Sequence, residues 1–175
     1  MLANLHWLRH KELDDEWGGM VLHHATAERS FKCADAIGVD PGRNWGIGIV
    51  TNGMVSVWWG KMIAQPYDYD YFQYAKQFIA EWFPKKHPAD KVLVEGPSYG
   101  SPYKQPMLED VRLGFLQGFM ELGKEVEYVP PQTVRKGVFG NGRTKASDLW
   151  IGIDSNGADG VAIALYSGGY RFEEG

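Results

Sequence analysis

Ala36-Ile37-Gly38-Val39-Asp40-Pro41-Gly42, answered about fifty residues later by Val92-Leu93-Val94-Glu95, is a pair of short apolar runs that each end on a carboxylate. A strand buried on both faces reads as a continuous aliphatic run, and a charge closing it is costly unless it has a partner or a task. Two such charges on neighbouring strands repel each other. A bound divalent cation such as Mg²⁺ is a common reason for a fold to tolerate that repulsion.

Working outward, Trp45 to Val50 reads as a second strand beside the first. Asn52-Gly53 is a hairpin signal, because both residue types tolerate positive φ. Met54 to Ile63 is then a third, antiparallel strand in which Val55, Val57 and Trp59 alternate with Ser56 and Trp58. A loop rich in tyrosine (Tyr67, Tyr69, Tyr71) follows. Tyr71, Tyr74, Phe78, Ile79 and Trp82 recur at helical spacing and stop before Pro84, which marks a helix with an aromatic core face. Lys91 to Glu95 is the fourth strand. Leu108, Val111, Phe115, Phe119 and Leu122 mark one face of a long helix ending at Gly123, and Glu125 to Val129 is a fifth strand. Pro130-Pro131 leads into a short helix over 132–138 that Gly140-Asn141-Gly142 breaks, and the apolar segment Val161 to Leu165 is helical. The order β-β-β-α-β-α-β-α predicts an α/β fold, a mixed five-stranded sheet with helices on both faces. A right-handed crossover returns the fourth strand beside the first, which puts Asp40 next to Glu95.

Residues 1–34 show no sustained period. They read as an N-terminal extension with one short helix, ahead of a single domain over 35–175. The histidines His6, His10, His23 and His24 fit no standard zinc spacing, and Cys33 is the only cysteine. A lone cysteine excludes an internal disulfide and suits a reducing cytosol. The chain has no apolar run long enough for a membrane span, and its first residues, with Glu12, Asp14, Asp15 and Glu16, lack the features of a signal or transit peptide. A cytoplasmic protein is expected. The net charge of −4 does not advertise a nucleic-acid partner. Locally the balance reverses: Arg135, Lys136, Arg143 and Lys145 cluster with no acidic residue between them.

A third carboxylate is needed beside Asp40 and Glu95. The stretch Gly152-Ile153-Asp154-Ser155-Asn156-Gly157-Ala158-Asp159-Gly160 offers Asp154 and Asp159. Three or four carboxylates around one point can hold two Mg²⁺ ions roughly 4 Å apart, one activating water and one stabilising the leaving oxygen of a phosphodiester. The residues therefore point to a metal-dependent phosphodiester nuclease.

The chain at this point resembles a known family. Asp40 in Gly-Val-Asp-Pro-Gly, Glu95 after its aliphatic run, and Ala158-Asp159-Gly160-Val161-Ala162-Ile163-Ala164 are similar to the motifs of RuvC-type Holliday junction resolvases, of the RNase H-like fold. Val111-Arg112-Leu113-Gly114, the run from Val129 to Lys136 and Gly140-Asn141-Gly142 also match the family pattern, so the resemblance spans about residues 35–168. It implies a homodimer, Mg²⁺ dependence (with Mn²⁺ able to substitute) and cleavage of four-way DNA junctions. By the same resemblance Arg135, Lys136, Arg143 and Lys145 stand near basic residues that contact the DNA backbone. Tyr99 or Tyr103 falls where the family places an aromatic wedge at the crossover, which suits stacking on unpaired bases.

Two departures matter. The family closes with two aspartates three apart, but here the earlier position is Asn156, a weaker ligand for a hard dication. The helix before this motif is also shortened, with ten residues between Lys145 and Asn156. Asp154-Ser155-Asn156-Gly157-Ala158 resembles in addition the closing motif of RuvC-like domains in RNA-guided nucleases, which offers Asp154 as a replacement carboxylate. Asp154 and Asp159 thus both stand as candidates, with Asn156 as a possible neutral ligand. The competing functions are another RNase H-like nuclease acting on RNA or an RNA–DNA hybrid, and a junction-binding protein that does not cut.

Overall fold

In the computed structural model, which describes residues 7–17, 20–62, 71–96, 106–148, 150 and 152–172, the elements follow the predicted order from Ala36 onward. The strands are β1 (Trp7–Trp17), β2 (Met20–Ser30), β3 (Ala36–Asp40), β4 (Asn44–Thr51), β5 (Met54–Met62), β6 (Lys91–Glu95) and β7 (Glu125–Val129). The helices are α1 (Tyr71–Trp82), α2 (Pro106–Glu121), α3 (Pro131–Phe139) and α4 (Ser155–Ser167), with a single 3-10 turn at Ala146–Asp148 before α4. One sheet runs β1-β2-β5-β4-β3-β6-β7. Its first five strands pair antiparallel in that order, while β3, β6 and β7 are parallel, as crossovers through helices require. The β4–β5 turn is the one expected, with Asn52 at φ 51° and Gly53 at φ 79°.

Residues 7–17 and 20–30 correct the sequence reading. They form the hairpin β1–β2 rather than a short helix, and β2 pairs with β5, so the sheet has seven strands where five were expected. The alternation was hard to see because the inward residues of β2 include small Ala25 and Ala27. Its histidines are settled across the strand pair: His23 faces Trp59 and His24 faces Trp58. Cross-strand partners of this kind stabilise a sheet but leave no mark in one strand's own sequence.

Pleating divides the core in two. Ile37 and Val39, Trp45, Ile47 and Ile49, and Val92 and Val94 bury one face against Ala75, Phe78 and Ile79 of α1 and Phe115 and Phe119 of α2. Trp45 lies between Phe78 and Phe115, with ring centroids at 4.9 and 5.4 Å. Val55, Val57, Trp59 and Leu93 bury the other face against α4, joined by Val134, Val138 and Phe139 of α3. The α4 face has an unusual floor. Gly38 and Gly48 are cross-strand partners, and Gly46 pairs with Asp40. A Cβ on Gly38 would collide with the backbone of Ala164, and one on Gly48 with the carbonyl of Gly160, while a Cβ on Gly160 would stand 2.9 Å from the carbonyl carbon of Gly46. The helix backbone rests directly on strand backbone. Among the described residues, no helix is long and apolar enough to cross a membrane.

Gly48→Ala is expected to cost about 1–3 kcal/mol or more, the usual range for overpacking a rigid contact. Gly96→Ala, whose Cβ would meet nothing closer than 3.7 Å, should stay within about 0.5 kcal/mol of the parent. Urea unfolding of both variants beside the parent checks the difference.

Candidate active site

Three elements bring three carboxylates to one point. Val39 pairs with Val94 in the parallel β3–β6 ladder, so Asp40 and Glu95 close adjacent strands at the same end of the sheet. Both share the α4 face with Gly38 and Leu93, since side chains alternate along a strand. The close seat of α4 on Gly46 and Gly48 then lowers its first turns until Asp159 meets the pair. One oxygen from each of Asp40, Glu95 and Asp159 lies within 4.8 Å of the other two.

Asp40 is 9% exposed, the only acidic side chain among the buried polar groups of the described residues. Its carboxyl is held well above the ordinary carboxylate range, first by burial, then by a hydrogen bond and charge repulsion from Glu95, and then by the charges of Asp159 and Asp154. Asp159 is pushed up to about 6, by burial first and by Glu95 second. Arg135 and Lys145 pull it back down and Asp154 adds to the rise. A group of carboxyls that resists losing its protons beside one another is a site short of positive charge. The donors are all oxygens, the set that hard dications prefer.

Of the remaining sequence candidates, Asp154 stands outside the triad. It occupies the N-cap position of α4, exposed, and makes no side-chain capping bond there. Its Oδ2 instead accepts a hydrogen bond from Nδ2 of Asn156 at 3.0 Å, so the amide of Asn156 is turned to Asp154. Arg135 lines a cleft with Glu95, Asp159, Val134 and Phe139. Lys145 is close enough for its charge to act on Asp159. Lys136 and Arg143 are exposed on α3 and on the turn that follows it. Tyr99 and Tyr103 lie outside the described residues.

The sequence reading missed how that turn is held. Oδ1 of Asn141 accepts hydrogen bonds from the amides of Arg143 and Thr144 at 2.9 and 2.8 Å and from the Thr144 hydroxyl at 3.0 Å. Asn before Gly at a helix end was the available signal, since asparagine side chains close local turns of this type. It also missed Gly46-Ile47-Gly48, whose alternation in an apolar strand signals close backbone approach.

Two solved structures of similar shape are RuvC proteins. Thermus thermophilus RuvC superposes with a TM-score of 0.54 at 18% identity, covering 76% of this chain and 92% of that one. T. thermophilus RuvC in complex with a Holliday junction substrate superposes with a TM-score of 0.52 at 20% identity, covering 75% and 91%. The chain therefore has the RuvC-type, RNase H-like fold, with the N-terminal hairpin extending its sheet. No family model matches it, and neither does any curated protein.

The electrostatics predict a pH-dependent stability. The carboxyl of Asp159 titrates near 6 when folded and at about 3.9 when unfolded. A raised folded value means that its contribution is complete below the unfolded value and is lost as pH rises through about 6. In EDTA, Tm should fall between pH 4 and 7, and the fall should be shallower in Asp159→Asn. Mg²⁺ should raise Tm more at pH 8 than at pH 5. Calorimetry in both buffers checks both signs.

Proposed function

We propose that this chain is a divalent-metal-dependent endonuclease that selects branched DNA and cuts four-way junctions as a homodimer. The observation that carries the reading is the convergence of Asp40, Glu95 and Asp159 at the strand ends of a RuvC-type fold. Mg²⁺ ions bound there would supply the Lewis acidity that activates water and stabilises the leaving oxygen of the scissile phosphodiester. The chain's own part is to hold and to orient. Asp40 and Glu95 are fixed by paired strands and Asp159 by a helix seated on glycine, so no carboxylate has to move far to serve as a ligand. Arg135, at the cleft beside Glu95 and Asp159, and Lys145 carry the charge that draws a phosphate backbone toward acidic ligands that would otherwise repel it. Lys136 and Arg143 extend that charge outward.

The dimer has its own support. Leu113 and Met120, seven residues apart on one side of α2, are 47% and 56% exposed. Two copies related by a two-fold axis would bury such a stripe against itself and present two active sites to a substrate of matching symmetry. The reading also requires a DNA crossover to be gripped by residues outside the triad, and residues 97–105, with Tyr99 and Tyr103, remain candidates for that.

One observation favours a second reading. The amide of Asn156 is engaged by Asp154, which leaves three carboxylates at the point of convergence. A junction-binding protein that does not cut would need no more.

A gel assay separates these readings. A labelled four-way junction, a linear duplex and an RNA–DNA hybrid are each incubated with Mg²⁺, with Mn²⁺ and with EDTA. The proposal expects paired, metal-dependent nicks in the junction alone. Cleavage of the hybrid in preference would leave the fold and move the substrate to RNA. Binding without product, with cutting restored by Asn156→Asp, would establish the non-cutting reading.

Asp40→Asn and Glu95→Gln should each reduce cutting by more than the 10–100-fold that outer-shell changes typically cost, with junction affinity equal or higher. Arg135→Ala and Lys145→Ala should weaken junction binding and lower the slope of log K against log salt by about one each. Fluorescence anisotropy in Ca²⁺ measures both affinities.

A further inference from the structure

On the side of α4 away from Glu95 lies a second cavity, of about 270 Å³. Its walls include His23 on β2, Asn44 on β4, Trp59 and Lys61 on β5, and Asp154 at the start of α4. Register places it at the same end of the sheet as the triad. Asn44 and Val21 both pair with Lys61, and Gly46, two residues along β4 from Asn44, pairs with Asp40. Asp154 stands between the two sites, facing this cavity and near enough for its charge to act on Asp40 and Asp159.

The cavity has the chemistry of a stacking site with a polar edge. His23 and Trp59 are cross-strand partners with nearly parallel rings, their centroids 5.3 Å apart and their planes 21° apart. Asn44 and Lys61 are exposed at its mouth. Aromatic faces hold bases of any identity, because every base has a π-face. The carboxylate of Asp154 disfavours a phosphate inside the cavity and favours a donor such as an exocyclic amino group. Lys61 supplies the opposite preference at the rim.

We propose that this cavity receives one unpaired nucleobase of the DNA strand that crosses the triad, stacked on the half-buried His23 ring that Trp59 backs, with its edge toward Asn44 and Asp154. Lys61 meets the adjoining phosphate. The inference rests on the nuclease reading and deepens it: the N-terminal hairpin contributes directly to substrate binding, and Asp154 reads the substrate rather than completing the triad. An unpaired base at a branch point costs less to draw out of the stack than a paired one, so the cavity would favour branched over linear DNA.

The test uses the whole chain and a four-way junction carrying 2-aminopurine at successive positions beside the crossover, in Ca²⁺. Wild-type protein is expected to quench the fluorescence strongly at one position. His23→Ala should abolish that quench and weaken binding roughly tenfold, the scale of one lost stacking contact, and Lys61→Ala should weaken binding and lower the slope of log K against log salt by about one. These two sites are half-buried and exposed, so circular dichroism should report an intact fold. Trp59 is buried in the core, and Trp59→Phe, which keeps a ring, serves there with a weaker quench expected. No quenched position, or equal quench and affinity in His23→Ala, overturns the proposal. Junction cutting in Mg²⁺ without a quench would leave the nuclease reading and remove this one, whereas a His23-dependent quench without cutting would remove the nuclease reading and leave the cavity as the base site of the non-cutting, junction-binding reading. A wild-type chain that binds no DNA removes both.

Discussion

Gly38 and Gly48 are paired across β3 and β4, Asp40 and Gly46 form the next pair on the same face, and α4 lies directly over all four. Of those positions only Asp40 carries a side chain. The glycines let a helix approach a sheet at backbone distance, where a Cβ on Gly46 would collide with the backbone of Asn156. That approach carries Asp159 down to the level of the strand ends. An ordinary sheet–helix interface, padded by aliphatic side chains, would hold the helix higher and leave Asp159 out of reach of Asp40. The geometry of the triad is therefore a packing result before it is an electrostatic one. Gly157 and Gly160 on the helix complete the fit, with Gly157 resting against Trp59 and Val57.

Such rigidity has an electrostatic consequence. A flexible surface would let three carboxylates swing apart into water, but these three are fixed by a β ladder and a glycine-seated helix. Relief must come from protons or from cations. Burial and mutual repulsion push Asp40 and Asp159 toward the protonated form. Arg135 and Lys145 supply some positive charge from the α3 side, and it is not enough to bring Asp159 back to an ordinary value. The fold thus spends stability to keep a cation-hungry point at the sheet's end.

Much of this was legible in the sequence, and the failures have physical causes. The strands β3, β6 and β7 matched their predicted bounds because their ends are set by local features: a terminal carboxylate or a following proline. Helix α1 announced itself through Tyr71, Tyr74, Phe78 and Trp82, and its buried face is the predicted one. Asp40 and Glu95 were placed side by side by the handedness of one crossover. The hairpin β1–β2 was not legible. Its stability comes from partners on β5, above all Trp58 and Trp59 beneath His24 and His23, and a periodicity search sees only one strand at a time. Nor could the sequence show the glycine floor as a unit, since Gly38, Gly48 and Gly160 come together only through the fold.

Of Asp154 and Asp159, both open in the sequence, the fold brings Asp159 to the carboxylates of Asp40 and Glu95 and leaves Asp154 at the N-cap of α4. The two are five residues apart, but Asp154 precedes the helix in extended backbone, at ψ 156°, while Asp159 lies in its second turn. Asp154 lines the cavity formed with His23, Trp59 and Lys61. Position 156 lies in the first turn of α4, three residues before Asp159. An aspartate there would stand against Asp154, adding a charge to a region already crowded with carboxylates. Asparagine instead donates to Asp154 and holds it in place. Asp154 and Asn156 are therefore a hydrogen-bonded pair at the start of α4, with the carboxylate held at the edge of the neighbouring cavity and apart from the three that converge.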